Sequence, residues 1–179
     1  MRNLAMDFVN TKWYVNHERM SDLFEDQDWF RQWLAKYGHS LDDTFFQTPN
    51  LLSTLRELRV FLSNCFDQLN SNNMFSEASL NRLNAYANAY KATYNLVTID
   101  NSYSLIQNVN PLTLEDFIGL LSNSFIRFVV ESDLSRFRIC DNDECKWLFV
   151  DSTKSKTKKW CCNTCASLVK VRKYRAKNS

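Results

Sequence analysis

The chain has 179 residues, 45% hydrophobic and 23% charged, with a formal net charge of +2; 13 Phe, 7 Tyr and 5 Trp are enough to fill one core. With only two Gly and two Pro, the composition argues against a loop-rich β-sandwich and a glycine-rich phosphate loop, and favours helices. No apolar run is long enough to cross a bilayer and Met1 to Val9 holds no signal-peptide core, so a soluble, cytoplasmic chain without membrane association is expected.

Residues 3–12 read NLAMDFVNTK, with Leu4, Phe8 and either Met6 or Val9 spaced for one buried helical face. Asp7, Asn10 and Thr11 stand among them, as caps and core hydrogen-bonding groups or as the polar corner of a ligand pocket. Ser21-Asp22 offers a helix start, followed by acidic Glu25, Asp26 and Asp28. An aromatic stripe of Trp29, Phe30, Trp33, Leu34 and Tyr37 then runs to Gly38. His39 to Asn50 reads as a polar loop. From 51 to 69, Leu51, Leu55, Leu58, Phe61, Leu62, Cys65 and Leu69 recur at helical steps, with Arg56, Glu57 and Arg59 on other faces. Cys65 on that stripe reads as a packed small hydrophobe.

A further helix is expected from Ser79 to Tyr94 after Ser76, burying Leu80, Leu83, Tyr86 or Ala87, and Tyr90. The period then changes. Tyr94 to Ile99 and Tyr103 to Val109 flank Asp100-Asn101-Ser102, a hairpin signal. Residues 112–130 return to helix, started by Pro111 and by Thr113 with Asp116. The fold class is therefore mainly α, with one small hairpin in a helical body (1–134) and a small module after it (135–179).

That module carries the chemistry. Cys140 and Cys145 bracket four residues, and Cys161, Cys162 and Cys165 close the stretch, so five of the six cysteines lie within it. Paired thiols at short spacing suit a structural Zn²⁺ held tetrahedrally, and with no secretion signal a disulfide framework is disfavoured. Spacing alone leaves open whether Cys161 or Cys162 joins Cys140, Cys145 and Cys165. A short hairpin is expected within Ser135–Val150, with Trp147, Leu148, Phe149 and later Trp160 packed beside the metal. A last helix, Asn163 to Ala176, is expected to set Leu168, Val171 and Tyr174 or Arg175 against the knuckle. It leaves Lys170, Arg172, Lys173, Arg175 and Lys177 facing outward. From Arg136 to Ser179 there are 12 Lys/Arg against 4 Asp/Glu, on a body of 10 against 16. A basic tail on an acidic body points to a polyanionic partner.

With these residues in view, the chain resembles the CGNR zinc-finger family of bacterial proteins, a helical N-terminal domain followed by a treble-clef-like finger. Ala5 to Thr11 is similar to the family's LDFVNT-type opening, and Leu55-Arg56-Glu57-Leu58-Arg59 to its LRELR-type helix. Arg138-Ile139-Cys140, Cys145 to Ser152, Lys159-Trp160-Cys161 and Val169 to Arg175 are similar to its finger and basic helix. Because the family ligand directly follows the tryptophan, the resemblance implies Cys140, Cys145, Cys161 and Cys165 as the Zn²⁺ ligands. Ala166-Ser167-Leu168 stands where the family carries Gly-Asn-Arg, so any contact that arginine makes in relatives is lost.

The resemblance implies a DNA-binding transcription regulator. Asp7, Asn10, Arg56 and Arg59 are candidate ligands for a small-molecule effector in the body, with Arg59 gripping an anion bidentately. The alternative is a small-molecule sensor or an RNA- or protein-binding module whose finger is purely structural. An enzyme is not expected. No nucleophile elbow or His-containing metal motif appears, His17 and His39 lack a companion nucleophile, and a four-thiolate zinc site has no open position. A homodimer is compatible with the chain, although no heptad seam argues for one.

Overall fold

The structure, a computed structural model, describes residues 3–16, 21–72, 74–91, 93–107 and 112–178. His17, Val109 and Pro111 fall outside them. The first helix, α1 (Leu4–Asn10), is apolar nearly all round, and Leu4, Ala5, Met6, Phe8 and Val9 are all buried. A helix of that kind belongs inside a protein. Asn3 caps it, its side chain accepting from the Met6 amide (2.9 Å) and donating to the Ser124 carbonyl (2.9 Å).

Around α1 the chain lays down α2 (Lys12–Asn16), a 3₁₀ turn (Leu23–Glu25), α3 (Gln27–Ala35), α4 (Asp43–Phe46), α5 (Leu51–Asn72) and α6 (Glu77–Ala89). Then follow the hairpin β1 (Tyr94–Ile99) and β2 (Ser102–Gln107), and α7 (Leu114–Glu131). Helix α1 packs on α5 and α7, and Phe8 meets Phe24, Trp33 and Phe117 at the centre of the aromatic core. Helix α7 begins with a reciprocal capping box between Thr113 and Asp116, as the residues imply.

Three local expectations are corrected. The His39–Asn50 loop contains α4, a single turn capped by the Asp42 carboxylate that buries Phe45. One turn is too short to register as a period. Helix α6 ends at Ala89, and its buried positions are Ser79 and Leu83, with Leu80 exposed. The hairpin turn is one residue shorter than expected: Ser102 opens β2, leaving Asp100 and Asn101 at φ 49° and 61°, both left-handed, as a tight two-residue turn demands.

Helices α6 and α7 cross closely because residue 119 is glycine. A Cβ there would lie 2.6 Å from the Tyr90 Cβ, 2.7 Å from the Tyr90 nitrogen and 2.9 Å from the Tyr86 oxygen. Since two of those atoms are backbone, the helices themselves must separate to admit it. Gly119→Ala is therefore expected to destabilise by about 1–3 kcal/mol in urea unfolding, despite alanine's better helix propensity. An unchanged midpoint would contradict the close crossing.

After a 3₁₀ turn (Leu134–Arg136) come β3 (Phe137–Ile139), β4 (Leu148–Val150) and α8 (Asn163–Lys177). Strands β3 and β4 pair antiparallel, Phe137 with Val150 and Ile139 with Leu148. Their inward residues join the body's core: Phe137 lies 5.4 Å from Phe66 and 5.6 Å from Phe128 (ring centroids), and Leu148 is buried beside α1. Asn10 locks the junction, donating to the Leu148 carbonyl (3.0 Å) and accepting from its amide (2.8 Å).

Candidate metal centre and basic face

The connection between β3 and β4 turns on the buried Asn142. Its carbonyl accepts from the amides of Cys145 (2.8 Å) and Lys146 (3.1 Å), and Lys146 takes a left-handed φ of 50°. The Cys140 amide donates to the Trp147 carbonyl (2.9 Å), closing the knuckle. This brings Cys140 and Cys145 together, while the chain returning through Trp160 delivers Cys161 and the first turn of α8 delivers Cys165.

The sulfurs of Cys140, Cys145, Cys161 and Cys165 all lie within 4.8 Å of one another, at 3.6 Å for Cys145–Cys161 and 3.7 Å for Cys161–Cys165. Four thiolates about 2.3 Å from a tetrahedral zinc sit about 3.8 Å apart, so the donor set has the right chemistry and spacing. Burial pushes the Cys145 thiol up to about 12, and burial with hydrogen bonds from Cys145 and Cys165 pushes Cys161 up as well. Crowded thiols resist ionising together, and a divalent cation supplies the charge that reverses this. Two donors already face the sulfurs: the Asn142 side chain toward Cys165 (3.5 Å) and the Cys161 amide toward Cys140 (3.5 Å). Such outer hydrogen bonds orient metal-bound thiolates.

Cys162 is exposed, its sulfur 3.8 Å from that of Cys161 and outside the group of four. Of the two spacings open from the sequence, the one through Cys161 builds the cluster. Cys65 is buried in the body, where burial raises its thiol to about 11, a packed core cysteine as expected.

The segment from Asp151 to Lys159 is a second built element. Asp151 is closed off from solvent, and the Thr153 hydroxyl (2.6 Å) and the amides of Thr153 and Lys158 (2.8 Å each) hold its carboxyl down at about 2. Arg136 donates to the carbonyls of Asp151 and Thr153, and Arg138 to that of Lys156. Lys156 is spent structurally on Asp133 and Ser135 (2.8 Å each), and Lys158 rests over the Phe149 ring. Lys154 and Lys159 remain exposed.

Helix α8 is rotated differently from expectation. Cys165 fixes its inward face, and Val169 and Arg172, four and seven residues on, share that face. Leu168, Val171 and Tyr174 are therefore solvent-exposed and do not pack on the knuckle. Arg172 is not a free outward cation either: it donates to Asn142 (3.0 Å) and pairs with Glu144. Lys170, Lys173 and Lys177, at three- and four-residue steps, form one exposed stripe, with Arg175 on the other side of the helix. Lys159 and Lys173 line a common cleft beside Trp160, which Asp141 and Asp143 also line, and this extends the stripe onto the loop. Sequence spacing does not reveal Lys159 as part of this face, because it does not show that the loop is folded against the helix.

The four effector candidates do not meet in one cleft. Tyr37 donates to Asp7, and Asn10 serves the junction with β4. Arg59 is buried and grips Asp22 through both terminal nitrogens (3.0 and 2.6 Å), donates to Thr11 (3.1 Å) and lies over the Phe24 ring. Arg56 reaches Asp22 (3.2 Å) and Glu25 (2.6 Å). Asp22, which these arginines surround, is legible in the sequence only as a helix cap, since its second role depends on tertiary contacts with α5. Among the described residues no helix is long and apolar enough to cross a membrane.

No curated protein matches the chain. Residues 136–178 match the model of the CGNR zinc finger, in accord with the four clustered cysteines. Residues 2–124 match the ABATE model, described as "Putative stress-induced transcription regulator". The chain belongs to the ABATE family and carries a CGNR zinc finger after its ABATE domain.

Proposed function

We propose that the protein is a DNA-binding transcription regulator whose finger, residues 135–179, presents a lysine stripe to duplex phosphates, carried by the helical body of residues 1–134. Cys140, Cys145, Cys161 and Cys165 hold the ion, which when bound cross-links the knuckle to the first turn of α8. The observation that carries the reading is the alignment of Lys170, Lys173 and Lys177 on one exposed face of α8, continued by Lys159. Arg172 braces the helix through Glu144 and Asn142, and Arg175 lies on the side of α8 away from the stripe. Asn163, Thr164 and Ser167, exposed at the helix start, are the side chains available to base edges. Leu168 stands where the signature arginine is found in the family the chain resembles, so phosphate attraction outweighs base reading here. In this reading Asp7, Asn10, Arg56 and Arg59 act as structural residues, through their bonds to Tyr37, Leu148 and Asp22.

Each lysine on a phosphate releases counterions, so affinity falls with salt in proportion to the number of contacts. Four contacts predict that duplex binding by the zinc-loaded protein weakens about a hundredfold between about 50 and about 200 mM salt. Lys170→Gln with Lys173→Gln is expected to lower the logarithmic salt slope by about 2, with little change in sequence preference. A mobility-shift titration measures both. Absence of duplex binding at low salt, or a slope indifferent to the two lysines, would overturn the assignment; preference for single-stranded RNA would transfer it to the other nucleic acid.

A further inference from the structure

The β1–β2 hairpin stands apart from the rest of the fold. Its strands pair only with each other among the described residues, and neither packs extensively on a helix. Leu96 is registered with Leu105 and Thr98 with Tyr103, and Tyr94 lies two residues before Leu96, so these five side chains share one face. That face is open: Tyr94 is 50% exposed, Leu96 68%, Tyr103 79% and Leu105 69%. The opposite face is the more covered one: Val97 and Ser104 are half-buried there, and Ile99 and Ile106 are 47% and 44% exposed.

A lone two-stranded hairpin is marginal in water, and an exposed apolar one normally carries lysine, proline or a bulge as protection against pairing. Neither strand here contains a charged residue or a proline. The four large side chains present roughly 500 Å² of mostly apolar surface, at the upper end of what a monomer leaves uncovered. Two such faces together bury about 1,000 Å², the threshold for a specific interface.

We propose that this face is a homodimer interface, with the hairpin of one copy packed on that of a second about a twofold axis. The charge pattern selects the occupant. A face without cations offers nothing to nucleic acid or to an anionic membrane, whereas a neutral leucine-and-tyrosine strip is complementary to itself and buries no unpaired charge. The other exposed apolar strip, Leu168, Val171 and Tyr174 on α8, runs beside Lys170, Lys173 and Arg175. Self-association there brings like charges together, so it is not the dimer contact. The proposal is independent of DNA binding; if both hold, the assembly carries two fingers in a symmetric pair.

Sedimentation velocity on the zinc-loaded full chain, from about 1 to about 100 μM, spans the affinities of interfaces this small. The wild type is expected to sediment as a dimer within that range. Leu96→Lys with Leu105→Lys, and separately Tyr103→Glu, are expected to weaken association at least tenfold with circular dichroism and zinc content unchanged. Leu168→Lys with Val171→Lys is expected to leave the dimer intact. A wild-type monomer throughout, a larger assembly, a dimer that survives both hairpin variants, or one broken only by the α8 variant would overturn the proposal. If the double-lysine variant fails to fold, Tyr103→Glu, at a side chain already in water, decides alone.

Discussion

Cys161→Ser is expected to strip the protein of zinc, whereas Cys162→Ser, one residue on, is expected to leave the metal in place. Cys161 lies 3.6 and 3.7 Å from two of its partner sulfurs, while the Cys162 side chain is exposed, outside the group of four and caps no amide of α8. Binding of structural zinc is worth about 10–16 kcal/mol in isolated fingers, as much as the whole stability of a typical domain. The consequences here are uneven. Phe137 and Leu148 keep β3 and β4 attached to the body's core even without the ion. Helix α8 has no such support: of its 15 residues only Cys165 is buried, and that residue is one of the four clustered cysteines. Chelation or Cys161→Ser is therefore expected to melt α8 while the helical body survives with a lowered unfolding midpoint. Elemental analysis with far-UV circular dichroism before and after chelation checks this. Cys162→Ser is expected to stay within about 0.5 kcal/mol of wild type. Zinc retained by Cys161→Ser and lost by Cys162→Ser would reverse the ligand assignment.

Much of the fold is legible because long periodic segments carry their own evidence. Helices α5 and α7 follow from leucine and phenylalanine spacing, and the Thr113–Asp116 box marks where α7 starts. The hairpin turn follows from Asp100-Asn101, residues that tolerate a left-handed backbone. The cysteine cluster is legible for a chemical reason, since few arrangements other than a metal site justify so many thiols at short spacing. What escapes is whatever depends on rotation or partnership. Leu168, Val171 and Tyr174 recur like a buried stripe, but Cys165 sets the rotation of α8 and turns them to solvent. Asp7, Asn10, Arg56 and Arg59 are visible as unusual polar residues in apolar segments. Their partners, Tyr37, the Leu148 backbone and Asp22, come from distant elements that periodicity does not connect. Short pieces such as α4 escape for want of length.

Arg59→Ala is expected to destabilise the body by about 3–5 kcal/mol, because it removes the main partner of a buried carboxylate. The Arg59 and Asp22 side chains are 8% and 4% exposed, and the guanidinium also ties α5 to Thr11 at the end of α1 and covers the Phe24 ring. Arg56, itself half in solvent and shared with Glu25, compensates little. Arg59→Lys retains the charge but loses the two-pronged grip and the planar stack, and is expected to fall between wild type and alanine. Stability should carry the mark of this pair in its pH dependence. Burial pulls the Asp22 carboxyl up, but the hydrogen bonds and charge of Arg59, the Arg56 hydrogen bond and the Phe24 amide together hold it below its ordinary 3.8. A carboxyl lowered by folding contributes stability above the unfolded-state value, and that contribution is lost as pH falls through the folded value. The difference in unfolding free energy between wild type and Asp22→Asn is therefore expected to be full near neutrality and to shrink below pH about 4. In an Arg59→Ala background the main lowering contributions are gone while burial remains, so the pH-dependent part of the Asp22→Asn effect is expected to shrink. Urea unfolding of the four proteins at acidic and neutral pH measures the cycle. An Asp22→Asn effect that is independent of pH and of Arg59 would mean that the aspartate acts only as the cap of its 3₁₀ turn.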